Sequence, residues 1–138
     1  MTKRLSRAYA QKLLDSTAPD LTAVNLKVAA IDASHVDSVA HDFLDDISGG
    51  DIVQTSGNLA SKTIVNGVFD AADIAIGSPG SGGPITQNWL YHDTGSAATS
   101  LLIFYWDEDA AGSPISITVN GEAITYVWNA AGIFKIGG

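Results

Sequence analysis

Hydrophobic positions in this chain recur first with a helical period and then with a two-residue period. Leu5, Ala8, Tyr9, Lys12 and Leu13 fall at the i, i+3, i+4, i+7, i+8 spacing of one helical face. This short helix should stop before "STAPD", where Pro19 disfavours helical angles at Ala18. From residue 25 the signal is mainly β. "NLKVAAID" alternates as a half-buried strand does, and short strands follow at 51–55, 60–65, 67–69 and 73–77. "VAHDFLDDI" is the exception, with Val39, Phe43 and Ile47 on one helical face and "SGG" as its stop. After the loop "GSPGSGGP" come strands at 85–93, 100–107, 115–119, 122–128 and 132–136. Asn120–Gly121 in "ITVNGEAIT" is the clearest hairpin signal, and "NG" at 66–67 is turn chemistry as well. The pattern predicts a mainly β protein, an antiparallel β-sandwich-like body over residues 21–138, preceded by a short helical arm at 1–20.

"LLIFYW", residues 101–106, is apolar on both sides. Strict alternation puts Leu101, Ile103 and Tyr105 on one face and Leu102, Phe104 and Trp106 on the other. An antiparallel strand with one wet face does not look like this. Both faces are therefore covered, within the domain or by a partner subunit.

Charge adds a polarity to this plan. The chain has 138 residues, enough for one domain with one modest core, and a net charge of −8. Lys3, Arg4, Arg7 and Lys12 are four of its seven basic residues, and all fifteen acids lie beyond them. An acidic body repels a phosphate backbone, which argues against direct binding of nucleic acid. A basic amphipathic arm on such a body fits docking onto acidic protein, including a neighbouring copy. No stretch has the length of a membrane span or of a signal-peptide core, so the expectation is a soluble chain made in a cytoplasm. The absence of Cys excludes disulfides and thiolate sites.

No catalytic constellation emerges. Asp107, Glu108 and Asp109 open a D-x-D-x-x-G stretch resembling a calcium loop, but Ala111 and Thr118 stand where two main ligands belong. Solvated acids at a strand-to-turn junction explain it better. His35, His41 and His92 do not share the spacing of a helix-borne or strand-borne zinc pair. "DTG" at 93–95 matches the aspartic-protease triplet, in a different surrounding pattern. Pro79 spoils a nucleophile elbow around Ser81. The expectation is a protein that is not an enzyme and uses no cofactor or metal. Trp89 and Tyr91 on one strand, and Tyr126 and Trp128 on another, could form a sugar-stacking face. Core or subunit-interface packing is the simpler reading.

The segments "SGNLASKT", "NGVFDAAD", "YHDTGSAATSLLI" and "GIFKI" resemble a family of small bacteriophage virion proteins, and the resemblance spans about residues 25–136. The 77–84 loop and Trp128-Asn129-Ala130 depart from that pattern. The resemblance implies a non-enzymatic virion component, above all a capsid decoration (cement) protein on the head exterior. Its partners would be the major capsid protein and neighbouring copies, with no membrane. Leu5, Tyr9 and Leu13 would anchor the arm, Lys3, Arg4, Arg7 and Lys12 would supply its charge, and the body would fold without it. Trp89, Tyr91, Tyr126 and Trp128 would be candidate subunit-interface residues of a homo-oligomer. A neck or tail component and a carbohydrate-binding module are the alternatives.

Overall fold

In the computed structural model, which describes residues 3–136, an edge strand precedes the helix. The order is β1 (Lys3–Leu5), α1 (Arg7–Leu14), β2 (Leu26–Asp32), β3 (Ile52–Thr55), β4 (Thr63–Val65) and β5 (Val68–Asp70). It continues with β6 (Ile74–Gly77), β7 (Ile85–His92), β8 (Leu102–Trp106), β9 (Ile124–Tyr126) and β10 (Phe134–Lys135). Strands β1-β8-β7-β2-β3 form one antiparallel sheet, β10-β5-β4 a second and β6-β9 a third. The described residues are mainly β with one short α-helix near the N-terminus, and the hydrophobic pattern predicts both that class and that helix.

The large sheet is covered on both sides. On one face Val28, Ala30, Leu90, Ile103, Phe104 and Trp106 pack against Phe69, Ile76 and Phe134 of the smaller sheets. Phe104 and Phe134 stack at 5.0 Å between ring centroids, joining the layers in a sandwich-like arrangement. On the other face Ala29, Ile31, Trp89, Tyr91, Leu102 and Tyr105 pack with Leu44, Ile47 and Ile52. Every residue of β8 is buried, so "LIFYW" needs no partner subunit to complete its burial.

Strict alternation along β8 fails at one place. Leu90 pairs with Phe104 and Tyr91 with Leu102, which leaves Ile103 as an extra residue. This bulge turns Phe104 and Trp106 toward the face that holds Leu101 and Ile103, and sends Tyr105 to the face of Leu102. It also leaves backbone groups outside the ladder. Ser6 takes up two of them: its N–H donates to Ile103 O at 2.8 Å and its hydroxyl to Leu102 O at 2.5 Å. The same hydroxyl accepts from Tyr9 N at 3.0 Å and so caps α1.

That double duty explains the helix boundary. The periodicity starts the helix at Leu5, but Leu5 lies in β1 opposite Phe104. The helix begins only after Ser6, and Tyr9 is its one buried residue. At the far end it closes on Asp15, with Ser16 left-handed at φ 63°, ahead of "STAPD" as predicted.

Three local expectations are corrected. Residues 39–47 are not a helix; they hold a single 3₁₀ turn, Leu44–Asp46, and Val39 is exposed. Tertiary bonds claim this backbone instead. The Asp46 carboxylate accepts from Asp42 N and Phe43 N, Leu44 N donates to Ser100 O, and Asp42 O accepts from Leu102 N. Residues 115–119 form no strand but a lone bridge between Ile117 and Ile85, and β9 pairs with β6. Asn120–Gly121 therefore turns no hairpin; Gly121 N bonds Pro79 O. The type I′ hairpin is at Asn66–Gly67, with φ of 51° and 77°, between β4 and β5.

Ser6→Ala removes the cap and the hydroxyl donor to the bulge together. Urea unfolding is expected to show a loss of about 1–3 kcal/mol. A loss confined to a few tenths would mean that the bulge carbonyl does not need Ser6.

Candidate functional site

The basic N-terminal segment is the natural place to start, and it is docked on its own body. Arg4 forms a fork with Asp37: Nη2 donates to Oδ1 at 2.9 Å, Nη1 pairs with Oδ2, and Nη2 also reaches Ser38 O at 3.1 Å. The guanidinium lies 4.6 Å from the Tyr105 ring centre and 5.2 Å from that of Trp89. Arg7 binds the Asp42 carboxylate, with Nη2 at 2.9 Å from Oδ2. Lys3 donates to Asp109 O and sits 3.8 Å from Glu108. Tyr9 is buried in the core, and Leu5 packs against it. The partners of Lys3, Arg4 and Arg7 are thus acids of the same chain. Leu13 and Leu14 remain exposed on the last turn of α1, beside Lys12. The segment packs on the body, where it supplies an edge strand, the Ser6 cap and the buried Tyr9 side chain.

Behind Arg4 lies a cluster that linear spacing did not reveal. His35, Asp37 and His41 each place one donor atom within 4.8 Å of the others. All three come from the irregular connection between β2 and β3, and the imidazoles lie 5.1 Å apart between centroids. His41 Nδ1 is 3.9 Å from Asp37 Oδ1, and His35 Nδ1 is 3.9 Å from Asp51 Oδ2. His35 Nε2 and His41 Nδ1 are buried and have no hydrogen-bond partner. Burial, aided by the neighbouring His41, pushes the His35 pKa down. Burial raises the Tyr105 hydroxyl, which donates to Gln87 Oε1 at 2.9 Å. The trace of this cluster in the sequence is H-x-D-x-x-x-H, whose even spacings would share one face of a strand, yet residues 33–42 form no strand.

The aromatic residues do not converge. Trp89 and Tyr91 are buried on the same face as Tyr105, whereas Tyr126 and Trp128 pack on the opposite face. Burial lifts the Tyr91 hydroxyl to about 12. They thus form neither one sugar-stacking platform nor one interface. Tyr126 and Trp128 line an open groove of about 610 Å³ with Phe104, Trp106 and Asn88. There the Tyr126 hydroxyl donates to Asn88 Oδ1, and Trp128 Nε1 donates to Ala72 O.

The acidic turn serves its own loop. Asp109 Oδ1 accepts from Ala111 N and Ser113 N, each at 2.9 Å, and the Tyr105 hydroxyl lies 3.5 Å from Asp107. In "DTG", Asp93 pairs with Lys27 at 2.8 Å and accepts from Gly95 N. These bonds hold the Asp93 carboxyl below its ordinary range, Lys27 contributing most. Burial lowers the pKa of the neighbouring His92.

The Arg4 site tests whether fork geometry matters. Arg4→Ala is expected to lower stability by about 2 kcal/mol, and Arg4→Lys to recover less than half of that, because an ammonium cannot span both carboxylate oxygens. Chemical denaturation of the two variants checks this; full recovery by lysine would reduce the site to a point charge. For Asp93, whose folded pKa is depressed, the unfolded chain binds the proton first. Its contribution is complete above the unfolded value of about 3.9 and is lost as pH falls through the folded value. Lys27→Met should flatten the fall of Tm below about pH 4; an unchanged profile would exclude the pair as its source. No protein-family model matches this chain, and no curated protein matches it either.

Proposed function

We propose that the protein is a non-enzymatic structural component of a bacteriophage virion, a decoration (cement) protein that binds the major capsid protein on the head exterior. The observation that carries this reading is the open edge of β4. Thr63, Ile64 and Val65 pair with β5 on one side only, and all three are exposed. An unpaired edge that displays Ile and Val is a surface for protein, since it can accept a further strand and bury apolar side chains with it. The likeness of the 25–136 segments to small virion proteins supports the same reading. So does the net charge of −8, which suits an outer face rather than a lining against packaged genome.

The arm's role in this reading is narrower than a free strap. Lys3, Arg4 and Arg7 are held within the chain, which leaves Lys12, Leu13 and Leu14 at the end of the helix to reach a neighbour. Strength would come from many modest contacts repeated over the shell, not from one deep pocket. Among the described residues, no helix is long and apolar enough to cross a membrane.

Purified protein is expected to bind saturably to genome-free capsids of the phage that encodes it. The double variant Ile64→Asp, Val65→Asp should bind at least about tenfold more weakly while keeping the parent circular dichroism spectrum. Copurification with tails instead of heads would replace this reading with a neck or tail role. Retention on glycans without capsid binding would replace it with a carbohydrate-binding one.

A further inference from the structure

Residues 33–51 cover the Trp89–Tyr105 face of the large sheet with little regular structure of their own. Backbone bonds tie residues 42–45 to 97–102, but residues 33–41 belong to no ladder and need side-chain bonds to stay in place. Arg4 supplies one bond through Asp37. The two histidines that flank Asp37 do not complete theirs.

We propose that His35, Asp37 and His41 bind one transition-metal ion, Zn²⁺ by donor chemistry, which clips this connection onto the sheet. Two imidazole nitrogens and one carboxylate oxygen are a donor set that suits zinc and does not suit calcium or magnesium. His35 is more than nine-tenths buried, and its Nε2 has no partner; His41 Nδ1 is likewise buried and unpartnered. Buried polar atoms in native proteins are nearly always satisfied, so two orphaned nitrogens in one cluster call for a ligand.

The surroundings match a metal site in two further respects. Ligands are usually oriented by a second layer of groups. Arg4 grips Asp37 from one side and leaves the carboxylate further lone pairs, while Asp51 lies beside His35 Nδ1. Donor atoms now within 4.8 Å of one another must close by up to about 1.5 Å to meet zinc tetrahedrally at bonds of about 2.0–2.1 Å. Side-chain rotation within a loop can supply that. The partial exposure of Asp37 and His41 gives the ion its way in from solvent.

The test uses the full-length, untagged protein, freed of metal and titrated with ZnCl₂ by calorimetry. One saturable site per chain is expected, with a thermal midpoint that rises until the site is full. His41→Gln should weaken binding by more than the roughly 10- to 100-fold worth of an outer-layer partner, and His92→Gln should leave it unchanged. Absence of saturable binding overturns the proposal. So does a folded His41→Gln variant that binds like the parent, or a loss that follows His92 instead. Should His41→Gln fail to fold, X-ray absorption on the zinc-loaded parent decides. A shell with two imidazoles supports the site, and a shell with one or none overturns it.

Discussion

The fold turns on how one extra residue in a central strand is accommodated. The bulge at Ile103 breaks the alternation of β8 and leaves carbonyls that the β7 ladder does not use. Ser6 meets them with its N–H and hydroxyl and in the same position starts the helix. A polar group buried that deeply is costly without partners, and Ser6 is almost fully buried with all its bonds made. The entry of the chain, the cap of α1 and the geometry of β8 are therefore one structure.

The consequences reach both faces of the sheet. Because of the bulge, Tyr105 stands beside Trp89, 5.3 Å away between ring centroids, and the two make the surface on which Arg4 rests. Phe104 and Trp106 turn the other way, toward Phe134, Tyr126 and Trp128. Arg4 then holds Asp37, and Asp37 brings with it the loop that contains His35 and His41. A backbone irregularity in one strand thus fixes where a charged cluster forms on the far side of the sheet.

This chain of dependence changes the meaning of the basic N-terminus. Its charges look suited to a neighbour when they are counted against an acidic body. In the fold they neutralise Asp37, Asp42 and Glu108 of that body. The large apolar side chains left exposed are peripheral, among them Leu13 and Leu14 on the helix, Val36 and Val39 between β2 and β3, and Ile64 and Val65 on the β4 edge. The acids at 107–109 follow the same logic, since Asp109 spends its carboxylate on its own turn.

Local chemistry was enough to write the mainly β character, the strands β2, β3, β7 and β8, the stop of the first helix and the double-sided burial of "LLIFYW". Each depends on near neighbours in the chain: a period of side chains, a proline, a run without polar residues. The helix read over 39–47 failed because its amides and carbonyls bond to Asp46 and to residues 97–102. The hairpin read at Asn120–Gly121 failed because β9 found β6. The His35–Asp37–His41 cluster stayed hidden for a related reason, since its members meet through the path of an irregular loop and an arginine more than thirty residues away. Sequence alone determined which segments are apolar enough to be strands. Only the tertiary structure decided which strands pair, which way β8 faces after its bulge and which charges meet, because those depend on contacts between residues far apart in the chain.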